Sequence, residues 1–410
     1  MALISQRISS MPPSETLAMT QIANELAEAG KDVIKLSIGE PDFNTPEVVK
    51  EAAKTAIDEN WTHYPPVPGY PELKKAICAK FKRDNNLDYT PDQIIVSTGA
   101  KQSIYQVVMA LVDPGDEVVI PAPYWVSYKA VVQLAEGKSV YIQTTIENDF
   151  KVTPDQLRAA LTPKTKMMIF SSPSNPTGML YSREELKALA EVLRDYPNVI
   201  VLADEIYEHI NFEGKHESMA QFDWMKERTV TVNGVAKGFA MTGWRIGFIG
   251  APVAIAKACN KLQGQVTSAT CSIAQRATIK AMQMDPAISD DIINMRNIFL
   301  KRRDLVYDLL CQIPGFKVRL PKGAFYFFPD ISELYGKQVP ADSVFAKTYN
   351  KTTIENSTDF CMYILYDANV ALVMGAAFGD DRCVRLSYAT SEEKLREAMR
   401  RIREAVVKMK

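Results

Sequence analysis

Between residues 94 and 250, short runs of β-branched and other apolar residues alternate with stretches whose apolar positions recur at helical spacing. The runs fall at 94–98, 117–120, 139–143, 167–170, 199–203, 229–232 and 246–249. Such alternation predicts an α/β fold with a mainly parallel sheet covered by helices on both faces. Helix starts sit between the runs. Ser182 followed by Glu185 is a capping-box pattern, and Pro154 opens a helix that includes Leu157 and Leu161. Sheets of this kind bind ligands outside the carboxyl ends of their strands, so the residues just after each run are the first place to look for chemistry.

Past residue 250 the pattern changes to long helical segments, expected at 253–284 and 288–313. Short strands are expected at 316–320, 325–328, 370–373 and 384–386, then a charged helix from Ser391. This tail predicts a smaller α+β lobe. The first forty residues, punctuated by Pro12, Pro13, Pro41 and Pro46, are expected to pack on it as an arm. The expected boundaries are 1–46 for the arm and part of the small domain, 47–285 for the large domain and 286–410 for the small C-terminal domain. The chain shows no internal repeat and no low-complexity tract.

Composition narrows the function classes. The 410 residues, 47% hydrophobic and 24% charged, can bury a substantial core, and Lys plus Arg (48) nearly balance Asp plus Glu (49). That balance favours neither nucleic acid nor an anionic membrane, and points to small-molecule metabolites as partners. The six cysteines lie far apart without a C-x-x-C pair, as expected of reduced thiols in a cytoplasmic protein. The opening M-A-L-I-S-Q-R-I lacks a signal-peptide core, and no run approaches the ~20 apolar residues of a membrane span.

Several strand ends carry candidate chemistry. Lys237 follows the run ending at Val232, in a loop of small residues where an amine is poorly solvated; a desolvated lysine becomes a nucleophile able to form a Schiff base. Arg245, eight residues on among glycines, can approach a phosphate closely. Asp204 ends the run V-I-V-L-A-D, where it either caps the next element or keeps a pyridine nitrogen protonated, and Tyr207 could donate to a neighbouring phenolic oxygen. The prolines of S-S-P-S-N-P-T-G give Asn175 a rigid base, although Asn-Pro is also a common turn. Gly99, Ala100 and Lys101 open a helix after a strand, which suits a phosphate. Trp125 could stack on a planar ring or fill the core. Arg385, between Val384 and Leu386, needs a carboxylate partner, either an internal Asp or Glu or that of a substrate. His63, His209 and His216 show no metal spacing, and no metal site is expected.

Together these segments resemble the fold-type I, pyridoxal-phosphate-dependent aminotransferases of class I, and within them the aspartate aminotransferases of the bacterial and archaeal branch. The resemblance rests on I-G-E-P-D-F from Ile38, Y-P-P-V-P-G-Y-P-E-L from Tyr64, S-T-G-A-K-Q from Ser97, P-Y-W-V-S-Y, S-N-P-T-G, D-E-I-Y-E-H, V-N-G-V-A-K-G-F-A-M-T-G-W-R-I-G, G-A-F-Y-F and V-R-L-S-Y-A-T-S-E-E, in family order along nearly the whole chain. It implies a large domain with a seven-stranded, mainly parallel sheet between helices. Lys237 would hold pyridoxal 5'-phosphate as a Schiff base and shuttle the substrate's α-proton. Asp204 would pair with the pyridinium, Asn175 and Tyr207 with the phenolic oxygen, and Trp125 would stack on the ring. Gly99, Ala100 and Arg245 would bind the phosphate, with Tyr64 reaching in from a second copy, which requires a homodimer with shared sites. The α-carboxylate would fall to Arg385, Asn175 and the backbone at Gly39, and a distal carboxylate to Lys101, near Ser14 and Thr16.

The implied reaction is a ping-pong exchange between aspartate and 2-oxoglutarate, giving oxaloacetate and glutamate. Prephenate, aromatic or alanine-like donors, or a lyase or synthase of the same fold, are the competing readings. A ligand-sensing regulator would need a helix-turn-helix domain with a basic face, and the motifs leave no stretch for one. Two departures stand out. Gly234 and Ala236 occupy places where many relatives carry serine, which implies a lost or replaced part of the phosphate grip. The polar stretch 335–359 is longer than the usual link and is expected as a surface insertion near the substrate entrance.

Overall fold

The computed structural model describes residues 3–11 and 15–410, with side chains from residue 18 onward in the second stretch. After the short β1 (Ile34–Lys35) come the seven strands of the central sheet: β2 (Ile94–Ser97), β3 (Glu117–Ala122), β4 (Lys138–Gln143), β5 (Thr165–Ser171), β6 (Ile200–Asp204), β7 (Thr229–Gly234) and β8 (Gly247–Gly250). In space they run β2-β8-β7-β6-β5-β3-β4. The four pairs among β3 to β7 are parallel, and β8 runs antiparallel to both its neighbours.

Successive residues of a strand point to opposite faces, and here they enter different cores. Ile120, Ile169, Leu202 and Val232 join one cluster with the helix Ala100–Leu111, while Val119, Met168, Val201 and Ala203 join another with the helix Arg183–Arg194. Apart from the edge strand β4, whose residues are mostly exposed or half-buried, the sheet is therefore dry on both sides, which is why those strands read as continuous apolar runs. The predicted helix starts hold: Ser182 with Glu185, and Thr153 with Gln156 just before Pro154, both form capping boxes.

The remaining strands, β9 (Tyr326–Phe327), β10 (Val370–Ala371), β11 (Val373–Met374) and β12 (Val384–Ser387), belong to the smaller lobe. There β11-β12-β9 form an antiparallel sheet, and β10 pairs in parallel with β1. This pairing, with Met19 and Ala23 buried in the same core as Ile364 and Leu386, seats the N-terminal segment on the lobe.

Three sequence expectations change. The helix expected over 253–284 is two, Val253–Val266 and Ser272–Gln283. The chain breaks where Ser268 takes a left-handed φ of 57° and where Thr267 and Thr270 bond to Gln102 and the Arg245 carbonyl instead of continuing the helix. The strand expected at 316–320 is reduced to one bridge, Lys317 to Asp330, because its other residues meet no ladder partner. The stretch 335–359 is part of the small lobe's core: Val339, Phe345 and Ile354 are buried, Gln338 exchanges backbone hydrogen bonds with Lys410, and none of its residues lines the cavity described below. Among the described residues no helix is long and apolar enough to cross a membrane.

At the sheet's active edge, glycine sets the spacing. Gly234 pairs with Gly247, and a Cβ on Gly247 would collide with the backbone of Gly99 and Ala100. We expect Gly247→Ala to push the helix start off the sheet, at a cost of about 1–3 kcal/mol. The apoprotein's melting temperature should fall by several degrees in a thermal scan.

Candidate active site

A cavity of about 510 Å³ lies at the carboxyl ends of β5, β6 and β7, between the lobes, a volume typical of small-molecule sites. Its wall includes Gly39, Ala100, Lys101, Trp125, Asn175, Asp204, Tyr207, Lys237, Arg245 and Arg385, so ten of the sequence-derived residues converge on one space. Gly99 sits directly behind, pressed against the Arg245 guanidinium.

Lys237 follows β7 at the point where the loop turns into the cavity. Its Nζ donates to the Gly39 carbonyl at 2.5 Å. Burial lowers its pKa to about 8, with Arg385 and Arg245 acting in the same direction against Glu40 and Asp204. Asp204, the last residue of β6, is buried, and burial raises its carboxyl to about 6. The Tyr128 hydroxyl donates to its Oδ2 at 2.8 Å and the Ile206 N–H to its Oδ1 at 3.3 Å, both favouring the anion.

Arg385 comes from β12. Its guanidinium donates to Asn175 Oδ1 at 3.0 Å and to the Ser37 carbonyl at 2.7 Å, and packs 4.7 Å above the Tyr326 ring. Its Nε is buried without a partner, and no carboxylate lies in salt-bridge range. Of the two partners left open by the sequence, the internal one is absent among the described residues. With its oxygen committed to Arg385, Asn175 keeps its amide N–H groups as donors. The Tyr207 hydroxyl lies 2.8 Å from that of Tyr326. Trp125 and Tyr128 meet edge-to-face with ring centroids 5.5 Å apart, and the Lys101 ammonium, its pKa lowered by burial, lies 5.0 Å above the indole.

Arg245 adopts a left-handed conformation, φ 56° and ψ 53°, which turns its side chain back to the Thr242 carbonyl and onto Gly99. At position 234 a Cβ would lie 2.9 Å from the Ile246 carbonyl and 3.0 Å from Gly247 Cα. A serine does not fit this backbone. The missing hydroxyl accompanies a closer approach of β7, β8 and the helix start, so the departure is a packing solution as well as a loss.

Some expected residues lie elsewhere. Tyr64 is outside the cavity, with 95% of its surface exposed. Ser14 and the side chain of Thr16 fall outside the described residues. Thr20, Ser37, Glu40, Tyr128, Ser171 and Tyr326 line the cavity without having been singled out. Tyr128, three residues after Trp125 at helical spacing, and Tyr326, within G-A-F-Y-F, carried a readable signal. The others did not.

The loop D-E-I-Y-E-H is two-sided. Asp204 and Tyr207 face the cavity, whereas Glu205 pairs with His216 at 3.0 Å, and Glu208 pairs with the fully buried Lys80 and accepts from Asn85 at 2.8 Å. Asp84, Glu208 and His209 also converge as a metal site might require, but the Lys80 ammonium already supplies the cation. Burial alone would raise the Glu208 pKa; Lys80, His209 and His216 more than offset this and hold it at about 2, below the usual 4.5. Its stabilisation is therefore fully present above pH ~4.5 and is lost as pH falls toward 2. Glu208→Gln leaves the buried Lys80 ammonium only the more distant Asp84 carboxylate at 3.7 Å and the Asn85 amide oxygen, at a cost of up to about 3–5 kcal/mol. Chemical denaturation should show that deficit at pH 7, narrowing below pH ~4.5.

Known proteins share this architecture throughout. The family model for aminotransferase class I and II matches residues 31–402. A bifunctional aspartate aminotransferase and glutamate/aspartate-prephenate aminotransferase of Petunia hybrida is 46% identical over 99% of this chain and 83% of its own. An aspartate/prephenate aminotransferase of Cereibacter sphaeroides is 47% identical over 98% of both chains. Among solved structures, the aspartate aminotransferase of Rhizobium meliloti superposes with a TM-score of 0.94 at 44% identity over the full length of both chains, and that of Thermus thermophilus, solved with maleate, with 0.90 at 40% over 99% and 100%. Lysine after β7, carboxylate at the end of β6 and arginine on β12 thus stand in a fold shared from end to end: the chain belongs to the class I and II aminotransferases.

Proposed function

We propose that the protein is a pyridoxal-phosphate enzyme that transfers the amino group of aspartate to 2-oxoglutarate, acting as a cytoplasmic homodimer. One observation carries the reading: a desolvated amine (Lys237), a buried carboxylate (Asp204) and a buried guanidinium with an unpartnered N–H (Arg385) open onto one cavity. The glycine-floored anion cradle at Gly99, Ala100 and Arg245 fits the cofactor's phosphate. When bound, pyridoxal phosphate supplies an electron sink for the carbanion formed at the substrate's α-carbon.

The chain's own groups do the rest. Asp204 would hold the pyridine nitrogen protonated, Tyr207 and Asn175 would donate to the phenolic oxygen, and the Trp125 face would confine the ring. Lys237, largely unprotonated only above pH ~8, is the base that takes and returns the α-proton. Arg385, with Asn175 and the Gly39 backbone, fixes the α-carboxylate. Lys101, which has no carboxylate partner among the described residues, would take a distal carboxylate, in line with the maleate present in the Thermus structure. Ser14 and Thr16 are assigned to the same end. The exposed ring of Tyr64 and the exposed Leu3, Ile4 and Ile8 favour a second copy, with the partner's Tyr64 completing the phosphate site. Working lobe boundaries are 1–46, 47–285 and 286–410.

The test mixes the purified, cofactor-loaded protein with single amino acids. Aspartate should bleach the visible cofactor band and 2-oxoglutarate restore it, and borohydride reduction should leave a pyridoxyl group on the peptide containing Lys237. Bleaching by phenylalanine or alanine but not by aspartate would overturn the donor. Lys101→Met should raise KM for aspartate about tenfold or more, the scale of a lost charge-assisted contact, while steady-state constants for alanine change little.

A further inference from the structure

Asp204 has to be an anion, yet it sits where burial favours the neutral acid. What opposes burial is short and specific. Tyr128, fully buried on the helix Ser127–Leu134, donates its hydroxyl to Asp204 Oδ2, and Ile206 N–H holds Oδ1. Tyr128 also shares a side-chain hydrogen bond with Ser171, and its ring makes an edge-to-face contact with Trp125, the planes at 86°. One side chain therefore touches both groups assigned to the cofactor ring: the carboxylate at its nitrogen and the indole on its face.

We propose that Tyr128 is a positioning residue of the reaction, which aims Asp204 at the pyridine nitrogen and keeps it ionised while its own ring supports Trp125. The inference rests on the pyridoxal-phosphate reading above. A phenol serves this role because its own pKa, pushed far above 10 by burial and by Asp204, leaves it a neutral donor at any working pH. The other titratable groups facing Asp204 are Glu205 beside it, which disfavours the anion, and Lys237 on the loop after β7, which favours it; Tyr207 stands close by on the loop after β6. Glu205 is already paired with His216, and Lys237 is freed for chemistry only by losing its proton. Among the described residues the Tyr128 hydroxyl is thus the one side-chain donor that holds the carboxylate throughout. Removing it leaves burial less opposed, and a protonated Asp204 cannot pair with a pyridinium.

Tyr128→Phe keeps the ring against Trp125 and deletes the hydroxyl. The apoproteins of the native chain, Tyr128→Phe, Asp204→Asn and the double variant are titrated with pyridoxal phosphate between pH 5 and 8.5, following tryptophan fluorescence, and their melting temperatures are recorded. Tyr128→Phe should melt within about 3 °C of the native apoprotein, bind about tenfold more weakly at pH 7, and show the acid-side fall in affinity about one pH unit higher. In the Asp204→Asn background the same change should move neither the affinity nor the pH dependence. An equal loss at every pH, an equal loss in the Asp204→Asn background, or collapse of the apoprotein would make the hydroxyl merely structural and overturn the proposal. A native protein that takes up no pyridoxal phosphate defeats the preceding reading as well, whereas native uptake with an unmoved pH dependence defeats this inference alone.

Discussion

Two opposite charges face one cavity without neutralising each other, and the site depends on that separation. Asp204 ends β6 and Lys237 follows the neighbouring β7, and in a low-dielectric space a direct ion pair between them would be strong. Instead each is held by something else: the carboxylate by a phenol and a backbone N–H, the amine by the Gly39 carbonyl. Each therefore keeps one face for a ligand. A salt bridge between them would fix the lysine as a cation and spend the carboxylate on it, leaving neither a base nor a counter-ion.

This arrangement draws on all three parts of the chain. β6 and β7 bring Asp204 and Lys237 to the same sheet edge, β12 brings Arg385 from the small lobe, and the segment around Ser37 and Gly39 supplies the carbonyls that orient both cations. A hydrogen bond between Tyr326 and Tyr207 and one from Arg385 to Asn175 cross between the lobes at the cavity itself. The rigid part is the sheet, where Gly234, Gly247 and Gly99 allow backbones to approach more closely than any side chain would permit.

Much of this was legible in the residues. The apolar runs located all seven central strands, because all but the edge strand β4 are covered on both faces and leave no polar register to confuse them, and the strand ends located Asp204 and Lys237. The motifs supplied further parts of the cavity wall, Asn175, Arg245 and Arg385 among them. What escaped was of three kinds. The helix expected at 253–284 breaks at Ser268, since apolar periodicity on either side says nothing of one left-handed residue between. The 335–359 stretch looked like a polar insertion because polar residues dominate it, yet Val339, Phe345, Ala346 and Ile354 within it are buried. Tyr128 and Tyr326 were overlooked because an aromatic residue beside a strand reads as core. Only the direction of the hydroxyl distinguishes the two uses, and that depends on residues 76 and 119 positions away.

The two-sided segment from Asp204 to His209 limits how this part of the chain can change. Its inward and outward residues are interleaved at spacings of one and three, so the loop cannot gain or lose a residue without exchanging sides. A single insertion after Ala203 would carry Asp204 away from the ligand to the place where Glu205 now meets His216, and would bury beside Lys80 a phenol with no charge to offer. Substitutions here can be accommodated one at a time, but length is fixed from both faces at once.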